Sequence, residues 1–181
     1  MFINNNLKFV YVSMTKSGSS SIVALLKDKF GGQSFGNTRA VIPPCCDSYH
    51  SFTVSRNPYA RMISWWWSIC KTDGDRYGHK KELKDANLTE SLSDFLLLWD
   101  KKGDYSQSKY LDVNGHLDTI LKLENIEEDF NNLPFVKQHV NIPKVNAKKH
   151  PSWQGLLDED SRILINRIYE DHFTNFNYEM L

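Results

Sequence analysis

The chain has 181 residues, 40% of them hydrophobic, which suits one domain with a real core and leaves two full domains cramped. Lys+Arg and Asp+Glu both total 22, so the formal net charge is zero. That balance argues against bulk electrostatic attachment to nucleic acid and leaves room for a local basic site.

The first six residues, Met1-Phe2-Ile3-Asn4-Asn5-Asn6, lack the basic n-region and long apolar core of a signal peptide. No run approaches the ~18 apolar residues of a membrane span. A soluble protein in the cytoplasm, or otherwise intracellular, is expected. A strand at about 8–13 feeds a Gly- and Ser-rich turn, Thr15-Lys16-Ser17-Gly18-Ser19-Ser20-Ser21, and then a helix at about 19–30 carrying Ile22, Val23, Leu25, Leu26 and Phe30. A turn-rich stretch follows, with Gly31-Gly32, Gly36-Asn37 and Pro43-Pro44. Within it, Cys45-Cys46, together with Cys70, are too few and too irregular for a disulfide framework or a zinc site. They read as ordinary thiols of a reducing compartment, with the adjacent pair open to redox chemistry.

The second strand, Ser51-Phe52-Thr53-Val54-Ser55, runs into Arg56-Asn57-Pro58. Asn57 suits an N-cap and Pro58 the first helical position. Tyr59, Met62, Ile63, Trp66 and Cys70 then recur at helical spacing. Residues from about 71 to 87 are charged and contain glycine, and read as a mobile surface loop or lid. A helix at about 89–100 carries Leu92, Phe95, Leu96 and Trp99. A third strand is expected from His116 to Leu123, followed by a short helix ending near Pro134. The last clear helix starts at Asp158-Glu159-Asp160, acidic residues that favour a helix N-terminus. Strands alternating with helices predict an α/β protein with a mostly parallel sheet, in a single domain spanning residues 1–181.

Chemistry concentrates in two places. The first is the 15–21 turn. A strand, a small-residue turn and a helix start together make an anion site, because the leading N–H groups point outward and the helix dipole favours negative charge. Lys16 adds a full charge. A Walker A loop requires Lys after its second Gly, whereas Lys16 precedes Gly18, so residue order excludes that loop. A plain turn is the alternative. The second place is Arg56, at the end of the second strand, with Ser64 eight residues on along the next helix. A guanidinium and a hydroxyl can grip one phosphate, and ligands in open α/β sheets bind where strands end. The bland alternative is an ion pair and a surface hydroxyl.

Together these motifs resemble the sulfotransferase superfamily, especially its carbohydrate (family 2 type) branch. Lys16-Ser17-Gly18-Ser19-Ser20-Ser21 is similar to the loop that binds the 5′-phosphosulfate of 3′-phosphoadenosine 5′-phosphosulfate (PAPS), and Arg56 with Ser64 to the pair that binds its 3′-phosphate. Ile120-Leu121-Lys122-Leu123-Glu124-Asn125-Ile126, with Asp129-Phe130, looks like the family's strand and "E-N-L…D-F" segment. Tyr169-Glu170-Asp171-His172-Phe173 and Phe176-Asn177-Tyr178 look like its closing helix and tail. The resemblance leaves a gap at about 71–110. It implies a P-loop-like three-layer fold and a PAPS-dependent transfer of a sulfuryl group to an acceptor hydroxyl, first a sugar's, with a protein tyrosine or small alcohol behind it. Lys16 would stabilise the leaving phosphate, and no metal is implied.

The general base has no clear candidate. The interval between the motifs holds one histidine, His50, and no Glu, whereas many relatives carry a His or Glu there. His79, in the predicted lid, and His116, before the third strand, are the other candidates by ordinary imidazole pKa. Asn37, Thr38 and Arg39 occupy the segment where some relatives contact the acceptor. Trp65 and Trp67 point away from the predicted buried face and offer either a sugar platform or packing surface. Lys148-Lys149-His150 is either a phosphate contact or a solvated charge run. Two readings compete with the enzyme: a catalytically silent nucleotide-binding module of the same fold, and a P-loop nucleotide kinase. The kinase would need a Walker A order and a magnesium carboxylate, and the sequence offers neither.

Overall fold

A computed structural model describes residues 1–36, 40–72, 78–102, 107–108, 111, 115, 117–145 and 151–181. In chain order the described elements are β1 (Phe2–Asn4), β2 (Phe9–Val12), α1 (Ser19–Leu25) with a π-helical turn Leu26–Phe30, β3 (Gln33–Ser34), and a 3-10 turn Pro44–Cys46. There follow β4 (His50–Ser55), α2 (Pro58–Cys70), α3 (His79–Asp85), α4 (Leu92–Lys102), β5 (Thr119–Lys122) and a 3-10 turn Leu123–Asn125. The last are α5 (Ile126–Asn131), a 3-10 turn Trp153–Gly155, α6 (Glu159–Ile168) and α7 (Glu170–Asn175). The chain divides into two compact units: Met1–Arg56 with Gln107–Ala147, and Asn57–Ser106 with Lys148–Leu181.

The first unit is built on a five-stranded sheet of order β3-β1-β2-β4-β5. β2 pairs with β4, and β4 with β5, in parallel, with Val12 opposite Thr53 and Ser55 opposite Lys122. β1 pairs antiparallel with both β2 and β3. The mostly parallel sheet expected from the sequence is therefore corrected to a mixed one, half of whose pairings are antiparallel. The reason is the turn between β1 and β2. Its four residues allow a hairpin, whereas a parallel return needs a crossover of roughly a dozen.

Asn4 builds that turn. Its Oδ1 accepts from the N–H groups of Asn6 and Leu7 at 2.9 and 2.7 Å. Its Nδ2 donates to the carbonyls of Phe30 and Gly31 at 2.8 and 2.9 Å. This buried amide thus uses both its donors and its acceptor.

Apolar side chains cover both faces of the sheet at β2, which is why β2 reads as a continuous apolar run, whereas β4 alternates and sends only Phe52 and Val54 into the larger cluster. Phe2, Phe9, Tyr11, Phe52, Val54 and Leu121 pack with Ile22, Leu25 and Leu26 of the α1 segment and Phe130 of α5. Met1, Ile3, Val10, Val12, Cys46 and Leu117 form the smaller cluster on the other side. The Phe9 and Phe135 rings stack at 4.2 Å.

The second unit is helical. Asn57 caps α2 by accepting from the Ala60 N–H at 3.2 Å, with Pro58 at the first position as the sequence predicts. Asp158 caps α6 in the same way, accepting from the Ser161 N–H at 2.8 Å. Trp65 stacks on Trp99 at 5.0 Å, and Tyr59 on Trp153 at 5.6 Å. The buried Arg61 guanidinium lies over the rings of Trp65 and Tyr169, at 5.6 and 5.7 Å.

The predicted lid holds a helix over its described part. α3 buries Leu83 completely, and its Glu82 is bridged by His79 at 2.8 Å and Lys102 at 2.5 Å. Residues 73–77 of that segment lie outside the described residues.

Candidate functional site

The Lys16–Ser21 loop hangs from the end of β2, and the Met14 carbonyl is its hub. Ser17 Oγ donates to it at 2.8 Å and Ser19 Oγ at 2.6 Å. Tyr11, buried beneath, donates from its hydroxyl to Ser19 Oγ at 3.3 Å. Burial pushes that phenol up to about 12, so it is a protonated donor throughout the physiological range. Ser17 is itself fully buried. Two of the four loop hydroxyls therefore spend their protons on shaping the turn.

Lys16 and Gly18 flank Ser17 with left-handed backbones, φ 65° and 76°. The pair reverses the chain so that α1 starts directly after Gly18, whose carbonyl accepts from the N–H groups of Ser21 and Ile22 at 2.9 and 3.2 Å. A Cβ at Gly18 would lie 2.7 Å from Leu123 Cδ1. α1 carries no acidic residue in its first turn. The local field there comes from the half-exposed Lys16 and the leading peptide dipoles, and both favour an anion. Ser21 Oγ accepts from the Val145 N–H at 3.0 Å, and Ser20 is exposed.

Arg56 follows β4, three residues past Thr53, the register partner of Val12, and at the same carboxyl edge of the parallel pair. Its Nη1 donates to the Lys16 carbonyl at 3.3 Å. Gln107, fully buried, spans the two loops. Its Nε2 donates to the Thr15 carbonyl at 3.3 Å, and its Oε1 accepts from the Arg56 N–H at 3.4 Å. The two motifs, read separately along the chain, are thus joined in the first unit by a guanidinium and an amide. Behind them Thr53 Oγ1 donates to the Val12 carbonyl at 2.7 Å, and Ser55 Oγ to the Leu121 carbonyl at 3.2 Å. Asp129 accepts from the Lys122 N–H at 2.8 Å and so ties the end of β5 to α5.

Gln107 escaped the sequence reading because it lies in the 71–110 gap. A single Gln between serines carries no periodicity and no motif. Ser64 sits half-buried on α2 in the second unit, the chain passing between units after Arg56.

Of the histidines, His50 opens β4, so about six residues at ~3.3 Å each separate it from Arg56 along the strand. Its Nε2 pairs with Thr119 Oγ1 at 3.0 Å. His79 belongs to the second unit, where it pairs with Glu82 and sets its ring edge-on to Trp99 at 4.8 Å. His116 lies outside the described residues, as do 37–39 and 148–150. Trp65 and Trp66 are both 7% exposed, and Trp66 Nε1 donates to the Glu90 carbonyl at 3.0 Å. A sugar platform on Trp65 is therefore corrected to core packing: its face is taken by Trp99. Trp67 is only partly buried.

No protein-family model, no curated protein and no solved structure matches this chain. Among the described residues no group of three or more His, Cys, Asp or Glu could hold a metal ion, and no helix is long and apolar enough to cross a membrane.

Proposed function

We propose that this protein is a PAPS-dependent sulfotransferase acting on an acceptor hydroxyl, first of all a carbohydrate's. The observation that carries the reading is the Arg56 Nη1 contact with the Lys16 carbonyl. It joins a cationic, acid-free helix start to a guanidinium at the end of the neighbouring parallel strand, where open α/β sheets bind ligands. A nucleotide with phosphates at both ends needs two such groups.

In this reading Lys16 and the loop N–H groups hold the 5′ end, and Arg56 grips the 3′-phosphate. The sulfur–oxygen bond to the phosphate breaks as a bond to the acceptor oxygen forms. Negative charge grows on the bridging oxygen that leaves, and the Lys16 ammonium is the group to meet it. The acceptor proton passes to a base or to water. Ser17 and Ser19 act by shaping the loop, since the Met14 carbonyl accepts a hydrogen bond from each hydroxyl.

Calorimetry with the product nucleotide, 3′-phosphoadenosine 5′-phosphate, tests the binding half. Saturable heat supports it, and none at millimolar ligand would sink it. A second reading, a silent nucleotide-binding module, is favoured by one observation: His50 is engaged by Thr119 at the far end of its strand. Incubation with labelled PAPS and a glycan panel separates the two, because only the enzyme moves label.

A further inference from the structure

Cys45 and Cys46 stand apart from the proposed nucleotide site. They sit on the 3-10 turn Pro44–Cys46, held by Cys46 N–H to the Pro43 carbonyl at 2.8 Å, Asp47 N–H to Pro44 at 3.2 Å and Tyr49 N–H to Cys46 at 2.9 Å. Neighbouring residues in a helical turn project in different directions, yet here the two Sγ atoms lie 3.9 Å apart. Cys45 is exposed, whereas Cys46 is 3% exposed and belongs to the cluster of Met1, Ile3, Val10, Val12 and Leu117. An exposed cysteine thus adjoins a buried one, on a turn braced by three backbone hydrogen bonds.

This geometry discriminates among the things two thiols do. A disulfide asks for an S–S bond of about 2.05 Å and Cα atoms usually ~4.4–6.8 Å apart, whereas adjacent Cα atoms are ~3.8 Å apart. Closing it would strain the turn. A structural zinc takes four ligands, and no third His, Cys, Asp or Glu joins the pair among the described residues. Burial, reinforced by Cys45 beside it, pushes the Cys46 thiol up, so the pair meets a ligand with that proton in place. A bent centre with two thiolate bonds of about 2.3 Å, the length zinc makes to sulfur, spans less than ~4.6 Å, and 3.9 Å falls inside that limit. The fitting ligand is soft, needs two sulfurs only, and carries away both thiol protons.

We propose that Cys45 and Cys46 form a dithiol site for trivalent arsenic in organic arsenous compounds. The reaction balances without an oxidant. An organoarsenic oxide, R–As=O, meets two thiols; two As–S bonds form, both S–H bonds break, and the protons leave with the oxide oxygen as one water. Arsenic stays trivalent and keeps its organic substituent as third neighbour.

The test is titration of the whole protein with phenylarsine oxide in a buffer containing excess monothiol, followed by intact mass spectrometry. The expected product is one phenylarsenic group per chain, stable to the monothiol and removed by a dithiol such as 2,3-dimercaptopropanol. Chelation adds roughly 10²–10⁴ over one sulfur, so Cys45→Ser and Cys46→Ser each lose at least about a hundredfold in affinity while Cys70→Ser is unchanged. Because Cys46 is buried, its variant is checked by thermal melting. The exposed Cys45→Ser keeps the test decisive if that variant unfolds. An adduct of undiminished strength in Cys45→Ser, or none in the folded wild type, overturns the proposal.

Discussion

Arg56 donates to the main-chain carbonyl of Lys16 at 3.3 Å, across 40 residues of chain, and leaves the Lys16 ammonium out of the contact. Substituting the lysine therefore removes its charge without removing the acceptor that positions Arg56. Lys16→Ala is expected to lower turnover by about 10²–10³, the usual loss for one transition-state donor, with little change in affinity for 3′-phosphoadenosine 5′-phosphate. Arg56→Ala is expected to weaken that affinity by roughly 10- to 150-fold, for ~1.5–3 kcal/mol of charge-assisted hydrogen bonding. Steady-state kinetics and calorimetry on the two variants decide it. The opposite pattern would reverse the roles.

Gln107 holds the two loops at one spacing, Thr15 on its amide nitrogen and Arg56 on its amide oxygen. A two-ended ligand gains from that spacing, and a one-ended ligand does not. Gln107→Leu is expected to bind 3′-phosphoadenosine 5′-phosphate about tenfold more weakly, each lost bond being worth ~0.5–1.5 kcal/mol. Adenosine 5′-phosphate and adenosine 3′-phosphate are expected to bind as they do to wild type. Calorimetry with the three nucleotides checks this. Equal loss for all three would mean that the Gln merely supports the fold, and no binding to wild type would instead refute the nucleotide reading.

Gly18 separates two causes of strain. A methyl there meets Leu123 Cδ1 at 2.7 Å, but that atom ends a side chain able to turn away. The φ of 76° has no such escape. Gly18→Ala is expected to cost ~1–2 kcal/mol, and adding Leu123→Ala is expected not to restore it. Thermal or urea melts of the single and double variants measure the difference. Recovery in the double variant would make the contact the cause.

The Glu82 carboxyl is held below its ordinary value of 4.5, first by the Lys102 ammonium and then by His79. A carboxyl whose pKa falls on folding stabilises the protein above its unfolded value, and the benefit disappears as pH drops through the folded value. Glu82→Gln is therefore expected to lower stability near pH 7 and to converge with wild type in acid, below the depressed value. The side chain is 40% exposed, so solvent screening limits the effect to a few tenths of a kcal/mol. Melting temperatures from pH 7 to pH 3 follow it. A constant offset across that range would remove the titration as cause.

The amino-acid sequence by itself determined the local elements. Asn57 and Asp158 cap their helices with partners three residues on, and Gly18 turns the chain between β2 and α1, because those interactions close within one turn of backbone. Lys16 and Arg56 were legible as strand-end cations for the same reason. Tertiary structure alone decided what depends on distant partners. β1 folded back antiparallel because a four-residue turn allows nothing else, and the sheet became mixed. Trp65 turned inward once α4 offered Trp99, against its place on an isolated helix. Gln107 acquired its place from carbonyl and N–H groups 92 and 51 residues away. A lone amide has no sequence signal, because its meaning lies wholly in which orphaned backbone groups the fold brings to it.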